Sequence, residues 1–274
     1  MKNIILFDNP ADKTNLLPLT YTRPICCLRV GIDTVIEKWK DAVSGTFSVL
    51  TDDYLSEKFP TIYTDDNYFI SGNIIPDKNI ISDIFTLSIG ECLTVNDKII
   101  ALRGSKNDFE NPALLSKKEY SGEFRAINYL YDIFTLNDNV LREDFIRFTA
   151  GKKSAEISDT NTIIGNSDLL FIEEGAEVEG AYINTKTGPV YISASAQVME
   201  GSCLRGPIAL CEHSVVNMGS KIYGATTLGP WCKVGGELNN VVMIGFSNKA
   251  HDGFLGNAVI GEWCNIGAGC LASN

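Results

Sequence analysis

At 274 residues, with 45% hydrophobic and 21% charged side chains, the chain is long enough for two domains with separate cores. Its net charge of −11 excludes a general nucleic-acid binder, which needs a basic face to neutralise phosphates. No apolar run approaches the roughly 20 residues of a membrane span, and MKNIILFDNPADK lacks a small-residue cleavage site, so no membrane partner and a cytoplasmic location are expected.

MKNIILF reads as a first buried strand. VGIDTVIEKWKDAV (Val30–Val43) places Ile32, Val35, Ile36, Trp39 and Val43 on one helical face, with Gly45 as a stop and FSVL after it as a buried strand. LTVNDKIIAL (Leu93–Leu102) reads as a hairpin turning at Asn96-Asp97. Val140, Leu141, Asp144, Phe145 and Phe148 recur at helical spacing, and Gly151 ends that helix. Strands alternating with helices predict an α/β domain over residues 1–151. Residues 152–162, polar and small, predict a linker.

From 163 to 274 the period becomes six: Ile192, Val198, Leu204, Leu210, Val216, Ile222, Leu228 and Val234. Ile172 and Val178 precede a small insertion at TKTGP, and Ile260 and Ile266 resume the rhythm later. Six fits neither a helix nor a flat strand. It fits a left-handed parallel β-helix, with three short strands per turn, one inward aliphatic from each and small residues at the corners. A packed prism has no room for a ligand inside, so sites must form on its outside. Proteins of this class are usually trimers, and a homotrimer is expected by that analogy. The eight cysteines show no CxxC spacing and read as free thiols of a reducing compartment, with no metal site.

The stretch KAHDGFLGNAVIG (Lys249–Gly261) breaks the rhythm and carries His251, one of two histidines. With Asn265-Ile266-Gly267-Ala268-Gly269 after it, this stretch resembles the acetyltransferase domain of the bifunctional glucosamine-1-phosphate acetyltransferase and N-acetylglucosamine-1-phosphate uridylyltransferase family. The family pattern is K-x-x-H-L-x-Y-x-G-D-x-x-I-G, then N-x-G-A-G-T and an asparagine. The resemblance implies that His251 is the general base. It implies that Lys249, Phe254 (a tyrosine in the family) and Asn274 meet the sugar phosphate, and that the backbone at Gly267 and Gly269 meets acetyl-CoA. The family continues for several more coils, so the solenoid is expected to be truncated at its C-terminus.

The first half resembles the family's nucleotidyltransferase half. Leu17-Pro18-Leu19-Thr20-Tyr21-Thr22-Arg23-Pro24 is similar to P-L-T-x-x-x-P-K, with Ile25 at the lysine. Ser71-Gly72-Asn73-Ile74-Ile75-Pro76 is similar to G-D-x-P, with Asn73 at the metal-binding aspartate. Asp8, Arg23 and Asn73 are the nucleotide-binding candidates that the resemblance implies, with Mg²⁺ if that site is active. The loop Phe7–Thr14 holds no glycine, although a backbone that approaches phosphates closely usually needs one.

Acetyl transfer to an amine needs a base to collect its proton and donors for the thioester oxyanion. A histidine suits the first role, and Gly253 and Gly256 leave room for the backbone to approach a ligand. His213, in CEHS, reads as a structural corner residue; Arg205, Lys221 and Lys233 read equally well as phosphate contacts or as solvated charges. The expected function is acetyl transfer from acetyl-CoA to an amino sugar phosphate, beside a diverged nucleotidyltransferase domain. Two alternatives stay open: a bifunctional enzyme that also uses UTP or another nucleoside triphosphate, and a non-catalytic trimeric scaffold that binds a sugar nucleotide. A zinc hydratase of the β-helical type needs three histidines and fails with two.

Overall fold

The computed structural model describes residues 1–273, which form two compact units: residues 1–28 with 34–130, and residues 29–33 with 131 onward. Among the described residues no helix is long and apolar enough to cross a membrane. All eight cysteines are free thiols.

The first unit contains, in order, β1 (Lys2–Phe7), α1 (Pro10–Asn15), α2 (Val35–Ala42), β2 (Gly45–Leu50), α3 (Asp53–Ser56), β3 (Asn67–Ser71), β4 (Ile74–Ile75), α4 (Lys78–Phe85), β5 (Glu91–Val95), β6 (Lys98–Gly104), α5 (Lys106–Glu110), β7 (Ser116–Glu119) and β8 (Arg125–Ala126). The main sheet has the order β2-β1-β3-β6-β5-β7, while β4 and β8 pair separately. Asn3 to Phe7 are buried without alternation, because β1 lies parallel between β2 and β3 and both of its faces are covered. The chain visits β2 on one side of β1 and returns for β3 on the other. Such a reversal leaves a crevice at the carboxyl ends of the strands.

The expected helix from Val30 is shorter. Thr34 caps it in a capping box with Glu37, so helix begins at Val35, and Gly45 opens β2 instead of ending α2. A Cβ at Gly45 would lie 2.9 Å from the Lys2 carbonyl, so close pairing with β1 explains that glycine. The hairpin turns where the sequence places it, with Asn96 and Asp97 at φ 50° and 65°.

α6 (Leu130–Thr149), which from Tyr131 on belongs to the second unit, begins ten residues before Val140, the first of the residues at helical spacing. Leu141 and Phe145 pack with Phe171, Tyr191 and Ala209 of the solenoid, and with Ile32, which lies outside α2. Asn137 accepts from the Gly31 N–H at 2.7 Å and Asp144 from the Ile32 N–H at 2.8 Å. A Cβ at Gly31 would lie 2.1 Å from Asp144, and its φ is +72°, so only glycine fits there. The compact units therefore part at Leu130 and not at the expected residue 151; from Tyr131 on, α6 groups with the solenoid.

Residues 152–162 are bound to the first coil rather than hanging free as a linker. The Ala155 N–H donates to the Ile172 carbonyl at 2.8 Å, and Asn161 bonds to Val178 and Ala181. Beyond them runs a left-handed parallel β-helix. Its coils register eighteen residues apart, Val190 with Ile208 and Ile208 with Thr226, and twenty at the TKTGP insertion, Leu170 with Val190. Every residue of the six-residue series from Ile192 to Val234 is buried in one interior cluster.

The repeat does not stop at Lys249–Gly261. Five residues separate Val216 from Lys221 at one corner, but only three separate Val234 from Glu237 at the same corner one coil later. A further residue is lost near Asn240, where Tyr223 pairs with Asn239 but Thr227 with Val242. The frame slips, and the inward series continues as Leu238, Met243, Lys249 and Leu255. From Lys249 to Phe254 the corner again has five residues, so His251 sits on a regular corner and not on an excursion.

Glu173, beside the first coil, accepts from the Tyr191 hydroxyl at 2.7 Å, the Ser193 hydroxyl at 3.0 Å and the Ala194 N–H at 3.0 Å. Burial alone raises a carboxyl pKa, but these donors outweigh it and hold Glu173 below its ordinary value. A depressed carboxylate contributes stability that is present above the unfolded pKa, about 4.3, and is lost as pH falls through the folded one. Circular dichroism should show acid loosening beginning below about pH 4, with a shallower acid limb in Tyr191→Phe. An identical limb in that variant would contradict the assignment.

Candidate functional site

Asp8 follows β1, and Thr51 and Asp52 follow β2, so three polar side chains meet at the crevice of the first unit. Lys13, on α1, is drawn into them: its Nζ lies 3.1 Å from Asp8 Oδ2, 2.9 Å from Asp52 Oδ2 and 2.9 Å from Thr51 Oγ1. Burial by itself lowers a lysine pKa, yet the two carboxylates hold Lys13 above its ordinary value. Asp8 is fixed at its other oxygen, Oδ1, by the Ile25 N–H at 2.9 Å, while the Thr51 hydroxyl donates to Oδ2 at 2.6 Å beside Lys13. These side chains edge a cavity of about 530 Å³, floored by Phe7, Leu50, Ile99, Leu102 and Phe109. Phe109 stacks on Phe69 at 4.7 Å and meets Phe7 edge-on at 5.2 Å.

The glycine-free loop folds as the start of α1. Asn9 caps the helix by accepting from the Ala11 N–H at 3.0 Å, and Pro10 takes its first position. That arrangement spends a backbone donor which a glycine loop would leave to a phosphate.

The donors present do not fit a divalent cation at the position of Asn73. Its Oδ1 accepts from the Ser71 hydroxyl at 2.8 Å, and its amide donates to Asp12 at 3.2 Å and Asn128 at 3.0 Å. Asp12, the carboxylate that this amide reaches, is occupied at both oxygens by Lys98 Nζ at 2.6 Å. Among the described residues no three acidic, histidine or cysteine side chains come together as a metal would require. Arg23 is buried and does not line the cavity. After the hydrogen bond from Cys26, its charge helps hold the Cys27 thiol below the ordinary thiol range.

Of the three candidates in this unit, the structure therefore places only Asp8 on the cavity. Lys13, Lys98 and Phe109 were missed. A lysine one residue past an aspartate on a short helix, and a phenylalanine a hundred residues away, carry no local signal that they meet.

On the solenoid, His251 and the Gly267–Gly269 run come together as successive rungs of one corner. The Gly269 N–H donates to the Asp252 carbonyl at 3.1 Å, and Gly269 has φ 71°. The His251 imidazole is exposed and makes no hydrogen bond among the described residues. Phe254, half-buried, begins the next strand. Lys249 points inward: it is 2% exposed, and its Nζ donates to the carbonyls of Gly235 at 3.1 Å and His251 at 2.9 Å. Burial pushes its pKa down. Its ammonium ties the corner that carries His251 to the coil before it. Asn274 lies outside the described residues. His213, at φ 57°, stacks on Trp231 at 4.1 Å, which is a structural corner role.

The first unit thus presents a parallel-strand crevice with a lysine-edged, aromatic-floored cavity, and a hexapeptide solenoid follows in the same chain. Residues 4–153 match the sugar nucleotidyl transferase family, which is more than half of the chain, and the chain belongs to that family. It is similar to the bifunctional protein GlmU of Rippkaea orientalis, 28% identical over 115 residues, 41% of this chain and 22% of that protein. It is also similar to the bifunctional protein GlmU of Trichodesmium erythraeum, 29% identical over 99 residues, 35% of this chain and 19% of that protein. The match spans about a fifth of the length of each relative.

Proposed function

We propose that the chain transfers an acetyl group from acetyl-CoA to an amino sugar phosphate of the glucosamine-1-phosphate type, with His251 as the base. The observation that supports this reading is the exposed His251 imidazole one rung from the Gly267–Gly269 turn. In this mechanism the imidazole takes the proton from the sugar amine as the amine attacks the thioester carbonyl. The amide forms, the proton passes to the imidazole, and coenzyme A leaves as thiolate. The Gly267 N–H would face the developing oxyanion, since the Gly269 N–H is held by the Asp252 carbonyl. Lys249 acts from inside by holding the corner, and Phe254 offers its ring to the sugar. A homotrimer in the cytoplasm, with neighbouring subunits closing the outer face, belongs to the same proposal.

Hydrogen exchange tests it. Acetyl-CoA with glucosamine 1-phosphate should slow exchange across Lys249–Gly256 and Gly267–Cys270; protection confined to other segments would contradict the reading.

The first unit is proposed to be a poor nucleotidyltransferase, since Asn73 and Asp12 are committed to each other and to Lys98. With UTP, Mg²⁺ and N-acetylglucosamine 1-phosphate, pyrophosphate release should fall well below an ordinary enzymatic rate of about 1–10³ per second. Turnover within that range would refute it.

A further inference from the structure

One corner of the solenoid, the one that follows Ile208–Leu210 and Thr226–Leu228, carries rings on successive rungs: His213, Trp231, Phe246 and Trp263. Each sits in the left-handed region, at φ 57°, 60°, 50° and 60°. Glycine is at ease there and a bulky side chain is strained, yet four rungs in a row keep a ring. The rings stack along the prism, His213 on Trp231 at 4.1 Å and Phe246 on Trp263 at 4.9 Å. They stay in the open: Trp231 is 56% exposed, Phe246 40% and Trp263 77%. At ~150–250 Å² per aromatic side chain, on the order of 400 Å² of ring surface is bare, a patch of the size that marks an interaction site. His251 follows the strand Asn248–Lys249 and belongs to a different corner.

Stacked rings use their faces on one another and turn their edges outward, where the positive rim of the quadrupole attracts carbonyl oxygens. The indole N–H groups of Trp231 and Trp263 have no acceptor among the described residues, so two donors point the same way. A polyproline II segment answers both, because its carbonyls make no internal hydrogen bonds and it is stiff before it binds. The periods agree as well. Trp231 and Trp263 stand two rungs apart, ~9.6 Å at the ~4.8 Å spacing of paired strands, and one turn of three residues in polyproline II rises ~9.3 Å.

Charge narrows the partner further. Glu212 and Glu262 each precede a ring, and no lysine or arginine flanks one. The Glu212 side chain is 63% exposed. A basic residue at the end of the segment is drawn to this corner, and an acidic one is repelled. A second copy of the chain fits poorly. It would set the same glutamates against each other, and the bare ring surface is about half of the ~800 Å² per partner of a standard interface.

We infer that this corner is a docking edge for a proline-rich, basic-ended segment of another protein, with residues three apart meeting Trp231 and Trp263. The inference stands on this corner alone and is independent of chemistry at His251.

Tryptophan fluorescence of the whole chain tests it, since the third tryptophan, Trp39, is fully buried and the other two report on the corner. The probe is a synthetic peptide of repeated Pro-Leu-Pro with an arginine at each end, about four turns long. It should give a saturable change, and a control with glycine in place of every proline should bind about tenfold or more weakly. Trp231→Ala and Trp263→Ala should each cost about tenfold or more in affinity, with unchanged melting temperature and unchanged mass in sedimentation. Glu212→Gln should weaken the peptide about two- to fivefold, the worth of one surface charge, and leave an arginine-free version within about twofold. Absence of a saturable change, a glycine control that binds as tightly, or a Trp263→Ala chain that binds like its parent would overturn the inference. So would a changed sedimentation mass in Trp263→Ala, which would mean that a second copy covers the rings.

Discussion

His251→Ala is expected to lower kcat for acetyl transfer by about 10²–10⁴, the usual worth of a positioned base. The side chain is exposed and bonded to no described residue, so its removal should change the melting temperature little. KM for the sugar phosphate should move less than kcat, because the imidazole acts on the proton and not on the phosphate. The deficit should shrink at high pH, where more of the substrate amine is already deprotonated. Phe254→Tyr, which adds a hydroxyl to the ring, should strengthen sugar-phosphate binding. A His251→Ala chain as fast as its parent would leave the corner without the proposed chemistry.

Leu228→Ala should be the more damaging change to the fold. Leu228 is fully buried and packs between Leu210 of the coil before and Met243 of the coil after. Truncation leaves a cavity that neighbouring rungs cannot fill, since each is fixed by parallel pairing on both sides. A loss of about 2–5 kcal/mol is expected in denaturant unfolding. Met218→Ala, at a residue 64% exposed, should stay within about 0.5 kcal/mol. Equal losses in the two variants would mean that the inward series does not carry the stability.

The solenoid was legible because its period has one physical cause: each strand sends one aliphatic residue into a shared interior. That legibility failed where the cause changed its spacing. Two residues lost after Val234 and one near Asn240 shifted the frame, and a lysine took an inward rung at 249, so a continuing repeat looked broken. The family resemblance marked the His251 corner, which the solenoid builds at its regular five-residue spacing from Lys249 to Phe254. In the first unit the strands and the hairpin followed from local pattern. Ile32 did not, because it sits at helical spacing from Val35 and Ile36 while serving another core. The cavity could not be read at all. Its floor and rim join Phe7, Leu50, Ile99 and Phe109, residues brought together only by the order of the strands.

Mass spectrometry of the sugar after incubation of the chain with acetyl-CoA tests the central claim most directly. A panel should hold glucosamine 1-phosphate beside glucose 1-phosphate, which lacks the amine. The account predicts one added acetyl group on the amino sugar, matched by released coenzyme A, and none on glucose 1-phosphate. Unmodified glucosamine 1-phosphate, or equal modification of both sugars, would contradict it.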